Sequence, residues 1–260
     1  MSTALFLSPH LDDVAFSCGG TLARLKARRW KIVLATVFTR SVPCPTGFAL
    51  ACQTSKGLSP DMDYMALRRA EDRSFAAWMG VDELVWLDLP EAPHRGYHSP
   101  GALFAPPRTD DHIMPTLEDR LSLLMEDVRP DLVFAPQALG SHVDHVQLVR
   151  TLPALNVQVS QILWYRDTPY AVRQPQAKPD YSLPDGLRPL ALNVTAELSR
   201  KVSGCVCYRS QIPFQFGGEA EVAPTLEIFH QQEAADYGQA GHAEVFLAGR
   251  TFESEWRGRL

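Results

Sequence analysis

Two short segments concentrate side chains able to do chemistry. Ser8-Pro9-His10-Leu11-Asp12-Asp13 places one imidazole and two carboxylates within four residues, and Gly140-Ser141-His142-Val143-Asp144-His145 adds two imidazoles and a third carboxylate. A catalytic zinc ion takes three protein ligands from His and Asp/Glu and keeps a fourth position for water. His10, one of the two aspartates and one of the two later histidines meet that requirement. The remaining aspartate would serve as the general base of an amide hydrolysis, and the spare histidine would support the oxyanion or protonate the leaving amine. Either segment alone is also what a helix N-cap aspartate and a packed histidine look like. Gathering both at matching strand ends without a metal is electrostatically costly.

Elements must bring the two segments together across 132 residues. Residues 4–8 (ALFLS) read as a strand, 19–29 as a helix with basic residues near its end, and 31–38 (KIVLATVF) as a buried parallel strand. Residues 64–79 read as a helix, 83–87 as a strand, 117–128 as a helix, and 131–135 (DLVFA) as a fourth strand. Further strands are expected at 161–165 and 189–194, with a helix over 196–211. The alternation predicts an α/β fold, Rossmann-like, with a largely parallel sheet covered by helices on both faces. Ligands in such sheets bind beyond the carboxyl ends of the strands, which is where both segments fall. One domain over 1–260 is expected, with its core in 1–155 and the C-terminal part completing the sheet and substrate site.

Residues 39–63 carry three prolines, two glycines and two cysteines without a period, and 88–115 is similarly irregular. Both read as long loops forming substrate walls. Trp78, His94, Tyr97 and His98 are candidates for a sugar-facing surface beside ordinary packing roles. Gly19-Gly20 suits close packing of the first helix on its turn and is too short for a dinucleotide fingerprint.

With 45% hydrophobic and 21% charged residues the chain is an ordinary globular one. Its net charge of −5 and lack of any basic run argue against a nucleic-acid partner. No apolar stretch reaches the length of a membrane span and no signal peptide is evident, so a cytoplasmic location is expected. The five scattered cysteines (18, 44, 52, 205, 207) are expected to be reduced.

These residues resemble the PIG-L/LmbE-like de-N-acetylases, whose signatures are a P-H-P-D-D turn after the first strand and an H-x-D-H turn much later. The resemblance implies that His10, Asp13 and His145 bind zinc, with iron or another divalent ion compatible with the same ligands. It implies Asp12 as general base, His142 as acid or oxyanion stabiliser, and Asp144 as the group orienting a neighbouring imidazole. An R-x-x-E pattern at Arg68 and Glu71 and the pair Ser210-Gln211 extend it, with Arg68 a candidate substrate contact or a helix-surface ion pair. Leu11 and Val14 depart from the family's proline and glutamate, which bears on substrate more than on reaction. The expected activity is removal of an acetyl group from an amino sugar of the N-acetylglucosamine type or a related small amide. A metal-dependent phosphoesterase and a catalytically silent sugar- or nucleotide-binding module are the rival readings. The first lacks the carboxylates of a two-metal site, and a nucleotide-binding module lacks phosphate-binding glycines.

Overall fold

A computed structural model describes residues 1–155, 161–178, 181, 183–250, 252 and 256. Among these residues seven strands form one sheet in the order β3-β2-β1-β4-β5-β7-β6: β1 Thr3–Ser8, β2 Lys31–Phe38, β3 Glu83–Leu89, β4 Leu132–Pro136, β5 Ile162–Tyr165, β6 Arg188–Asn193 and β7 Ala243–Ala248. The first five pair in parallel, and β7 runs antiparallel to both β5 and β6. Alternate residues of a strand face opposite sides. Accordingly Ala4 and Phe6 of β1 enter one apolar cluster while Leu5 and Leu7 enter the other. Phe6 stacks on Phe134 of β4 with ring centroids 4.2 Å apart.

The chain leaves β1 toward β2 and β3 on one side and returns to β4 on the other. The carboxyl ends of β1 and β4 therefore flank the point where strand order reverses, the crevice in which open α/β sheets bind ligands. This placement turns two distant sequence segments into neighbours.

Among the described residues these helices surround the sheet: α1 Asp13–Ala27, α2 Gly47–Thr54, α3 Tyr64–Met79, α4 Pro100–Leu103, α5 Ile113–Val128, α6 Val143–Thr151, α7 Tyr170–Arg173, α8 Leu198–Cys205, α9 Ile212–Phe216 and α10 Val222–Asp236. Helix α3 has the expected bounds. It starts on Asp63, whose side chain accepts from Ala66 N, and stops at Gly80 in the left-handed conformation. Four expectations are corrected. The first helix begins at Asp13 rather than residue 19, the stretch 196–211 breaks at Cys205, the first long loop contains α2, and the second contains α4 and the first residues of α5.

The break in α1 has a physical cause. Cys18 departs from helical geometry (φ −136°, ψ 25°), leaving amides without intrahelical acceptors. Gly20 N and Thr21 N donate instead to the carboxylate of Glu244, at 2.9 and 2.7 Å. Glu244 is paired with fully buried Lys201 at 2.8 Å, and Lys201 also donates to Ser17 O and to His230 Nε2. A Cβ on Gly20 would lie 2.9 Å from Glu244 Oε1, so the Gly-Gly pair makes room for this ion pair rather than for the turn. No described helix is long and apolar enough to cross a membrane. All five cysteines are free.

Candidate active site

The turn after β1 is closed by its own polar groups. Asp12 N donates to His10 O, His10 N to Asp13 Oδ2 at 2.7 Å, and Ser8 Oγ to His10 O while accepting from Val14 N. Asp13 thus opens α1 with its carboxylate turned back toward the His10 side chain. After β4, Ala138, Gly140 and Ser141 all have positive φ, and the sharp reversal delivers His142 as the N-cap of α6 with Asp144 and His145 in its first turn. Gly140 is required here twice over: its φ is +79°, and a Cβ would sit 2.6 Å from the Tyr170 ring.

The structure brings every residue singled out at these turns into one cluster. One oxygen, Asp13 Oδ2, lies 3.5 Å from His10 Nδ1 and 3.3 Å from His145 Nε2. The opposite nitrogen of each ring is anchored by a carboxylate: His10 Nε2 by Asp144 at 2.9 Å, and His145 Nδ1 by Asp167 at 2.6 Å. His145 Nε2 is buried without a hydrogen-bond partner among the described residues. Anchored rings whose free nitrogens converge on a carboxylate are the arrangement that holds a divalent cation.

Nitrogen atoms of His10, His142 and His145 also lie within 4.8 Å of one another, so a three-histidine donor set overlaps the first. The hydrogen bonding favours Asp13 over His142 as the third donor. His142 Nδ1 accepts from Asp144 N, which places the proton of a neutral ring on Nε2 and leaves no free lone pair. Burial, then the charge of His10, push His142 down to about 3, so the ring is neutral across the physiological range.

Charge in the cluster is balanced by buried pairs. Burial opposes protonation of His10, yet its contacts with Asp13 and Asp144 hold its pKa well above the ordinary value. His145 is likewise pushed up to about 9, burial being outweighed by Asp13 and Asp167. Asp13 and Asp144 are held below the usual carboxylate range, burial being outweighed by His145 at Asp13 and by Arg95 at Asp144.

Asp12 stands apart from the anchored pair. Arg68 Nη2 approaches Asp12 Oδ1 at 3.3 Å while its Nη1 holds Glu91 at 2.5 Å, and Arg68 and Asp12 are each 5% exposed. Burial raises the Asp12 carboxyl, Arg68 lowers it, and the outcome is about 6. Arg68 is therefore a buried ion-pair partner facing the cavity, which corrects the helix-surface reading. Glu71, one turn later, accepts from Ser210 N and Ser210 Oγ, and Gln211 donates to the Tyr64 hydroxyl. The two weaker motifs are thus one contact between α3 and the start of α9.

Sequence reasoning missed Asp167, Glu91 and Arg95. Asp167 follows β5 at the same sheet edge, and its position just past a predicted strand was the available signal. Arg95 Nη1 lies 2.8 Å from Asp144 Oδ1 and its other nitrogens bind Asp111. Nothing local marked Arg95 or Glu91, since their partners lie 49 and 23 residues away.

A cavity of about 400 Å³ opens over the cluster. Both long loops contribute walls, through Phe48 and Lys56 from the first and Pro93 and Phe104 from the second. The aromatic candidates singled out from sequence do not line it. Tyr97 is fully buried and binds Asp111, Trp78 is exposed and donates to Arg200 O, and His94 and His98 do not line it.

Three comparisons with known proteins bear on this arrangement. Residues 5–156 match the family model described as PIG-L, GlcNAc-PI de-N-acetylase. The chain is 32% identical over 211 residues to a 2'-N-acetylparomamine deacetylase of Streptomyces fradiae, covering 80% of this chain and 72% of that protein. It is 27% identical over 274 residues to a 2'-N-acetylparomamine deacetylase of Niallia circulans, covering 97% and 93%. A solved deacetylase of the teicoplanin biosynthesis pathway superposes with a TM-score of 0.81 at 25% identity, covering 95% of this chain and 97% of that one.

Proposed function

The chain belongs to the PIG-L family of de-N-acetylases, and we propose that its site removes the acetyl group of an N-acetylated amino sugar as acetate, with zinc held by His10, Asp13 and His145. The observation that carries the reading is the single Asp13 oxygen between two imidazole nitrogens whose partner nitrogens are each anchored by a carboxylate. Two nitrogens and one oxygen suit zinc, and the relatives named as 2'-N-acetylparomamine deacetylases, with the deacetylase of the teicoplanin biosynthesis pathway, support the amino-sugar substrate. When bound there, a zinc ion supplies Lewis acidity toward the acetyl carbonyl and toward water.

The side chains perform the remaining work. Asp12, ionised above about pH 6 and held by Arg68, accepts the proton of the attacking water. His142 carries its proton on Nε2 and donates a hydrogen bond to the oxyanion as the carbonyl becomes tetrahedral. Collapse breaks the C–N bond, the proton taken by Asp12 passes to the leaving nitrogen, and acetate and free amine result. Asp144, bound to Arg95 and Ala92 N, keeps His10 in the tautomer whose Nδ1 faces Asp13.

Metal analysis of wild type and His10→Ala, with acetate release from N-acetylglucosamine compounds, tests this reading. The expected result is about one zinc per wild-type chain, lost in the variant together with acetate release. Full zinc content in His10→Ala, or metal-independent acetate release, overturns it.

A further inference from the structure

Burying carboxylates around a sugar site ordinarily suits a substrate rich in ammonium groups, and the paromamine compounds of the two relatives are amines. The cavity of this chain lacks the charge to match. Of its lining carboxylates, Asp12 and Glu91 share Arg68, Asp144 is met by Arg95, and Asp13 faces the two imidazoles that would hold a cation. No lining carboxylate is left over for an ammonium group. At the rim, Lys56 has no carboxylate partner among the described residues; its ammonium donates to Cys52 O and sits 5.2 Å over the Tyr64 ring and 5.3 Å over that of Phe214.

Three phenylalanines, Phe48, Phe104 and Phe214, line the cavity as well. Phe104 lies edge-on to His142 with centroids 5.5 Å apart and is 46% exposed, while Phe214 is 65% exposed. Phe48 on α2 lines the same opening. Scattered exposed apolar residues need no explanation, but several converging on one cavity above a polar cluster mark a surface that a ligand covers. Phe104 stands over the residue assigned to the oxyanion, so it meets the sugar bearing the acetamido group. Phe48, Phe214 and Lys56 line the same cavity from α2, from α9 and from the turn after α2, and they are the side chains left to meet whatever that sugar is attached to.

We propose that this mouth selects an N-acetylated amino sugar carrying an aromatic, uncharged or anionic substituent, and disfavours acetylated sugars joined to further amino groups. The proposal rests on the deacetylase reading above and adds the substrate class. An aromatic group on the sugar stacks against Phe214, gaining area burial and ring contact. An ammonium group in its place meets Lys56 with no lining carboxylate to offset the repulsion.

The test compares kcat/KM on free N-acetylglucosamine, on its phenyl glycoside and on 2'-N-acetylparomamine, using zinc-loaded full-length protein. The phenyl glycoside is expected to exceed the free sugar by about tenfold and to be the best of the three, with Phe214→Ser bringing the phenyl-to-free ratio toward one. Lys56→Glu is expected to raise the paromamine-to-phenyl ratio by about tenfold at low salt, and less at high salt. Acetate release with equal rates on phenyl and free sugar, or with the paromamine compound best, overturns the substrate class and leaves the deacetylase reading standing. Binding of phenyl glucosaminide, the amine product, measured calorimetrically in wild type and Phe214→Ser, judges the mouth without turnover. Equal affinities there overturn the proposal even if no acetate is released from any compound.

Discussion

Replacing Arg68 by methionine should move the acid limb of the rate profile, not just lower it. Asp12 is caught between burial, which raises its pKa, and the guanidinium 3.3 Å away, which lowers it, and the balance falls at about 6. An opposite charge at that distance ordinarily lowers a carboxyl by about 1–3 units, so its removal carries Asp12 to about 7–9. At pH 7 the ionised fraction then falls from about nine-tenths to between about one half and about one hundredth, and kcat/KM falls with it by about 2- to 100-fold. The loss should be recovered as pH rises past the new value. Glu91→Gln supplies the opposite sign: Glu91 raises the Asp12 pKa, so its neutralisation should shift the acid limb to lower pH. Profiles of kcat/KM between pH 5 and 10, measured on metal-loaded enzyme, decide the matter because a bound ion displaces all of them in the same direction. If Arg68→Met scales the whole profile by one factor and leaves its acid limb in place, Asp12 is not the titrating base held by Arg68.

Further outcomes follow from the buried pairs. Asp167→Asn should weaken zinc binding about 10- to 100-fold, read by chelator competition, because it loosens the ring of His145; unchanged affinity would remove Asp167 from the site. In the metal-free protein His145 has a folded pKa of about 9, raised above its unfolded value. Its contribution is therefore complete below about pH 6.5 and is lost as pH rises through about 9, so the metal-free Tm should decline over that window. Zinc requires the same ring deprotonated, so the gap in Tm between loaded and metal-free protein should widen with pH, and a gap that narrows would contradict the assignment. Lys201→Met should cost about 3–5 kcal/mol by stranding buried Glu244, and adding Glu244→Gln should restore more than half, since an amide oxygen still accepts from Gly20 N or Thr21 N; chemical denaturation reads both.

The parts of the fold that were legible are those whose signal is local. Strand β2 and helix α3 have the bounds the sequence suggested, because an unbroken β-branched run and a 3.6-residue period each fix one answer. The start of α1 was not legible, since its first turn is buried throughout and has no amphipathic period, and its kink is capped by a carboxylate more than 200 residues away. Strand β7 and helix α10 lay in a stretch without a readable pattern, and α10 has both faces mixed. The same division holds at the site. Ligand candidates sit in two tight turns of six residues and could be named, whereas Glu91 and Arg95 act on partners set by tertiary folding and could not, and Asp167 was marked only by its place just past β5.

That division also determines what relatives can teach about this chain. The residues proposed for the chemistry sit in the turns after β1 and β4, both inside the stretch that matches the family model. The cavity mouth is set by α2, by the loop bearing Phe104, and by Phe214, which lies beyond that stretch altogether. Loops tolerate change because few buried contacts constrain them, so the mouth can diverge while the turns cannot. A shared reaction on an acetylated amino sugar is therefore expected across relatives at this level of identity, and a shared attachment to that sugar is not. What that sugar is attached to is, on the proposal above, read from the charge at Lys56 and the exposed faces of Phe104 and Phe214.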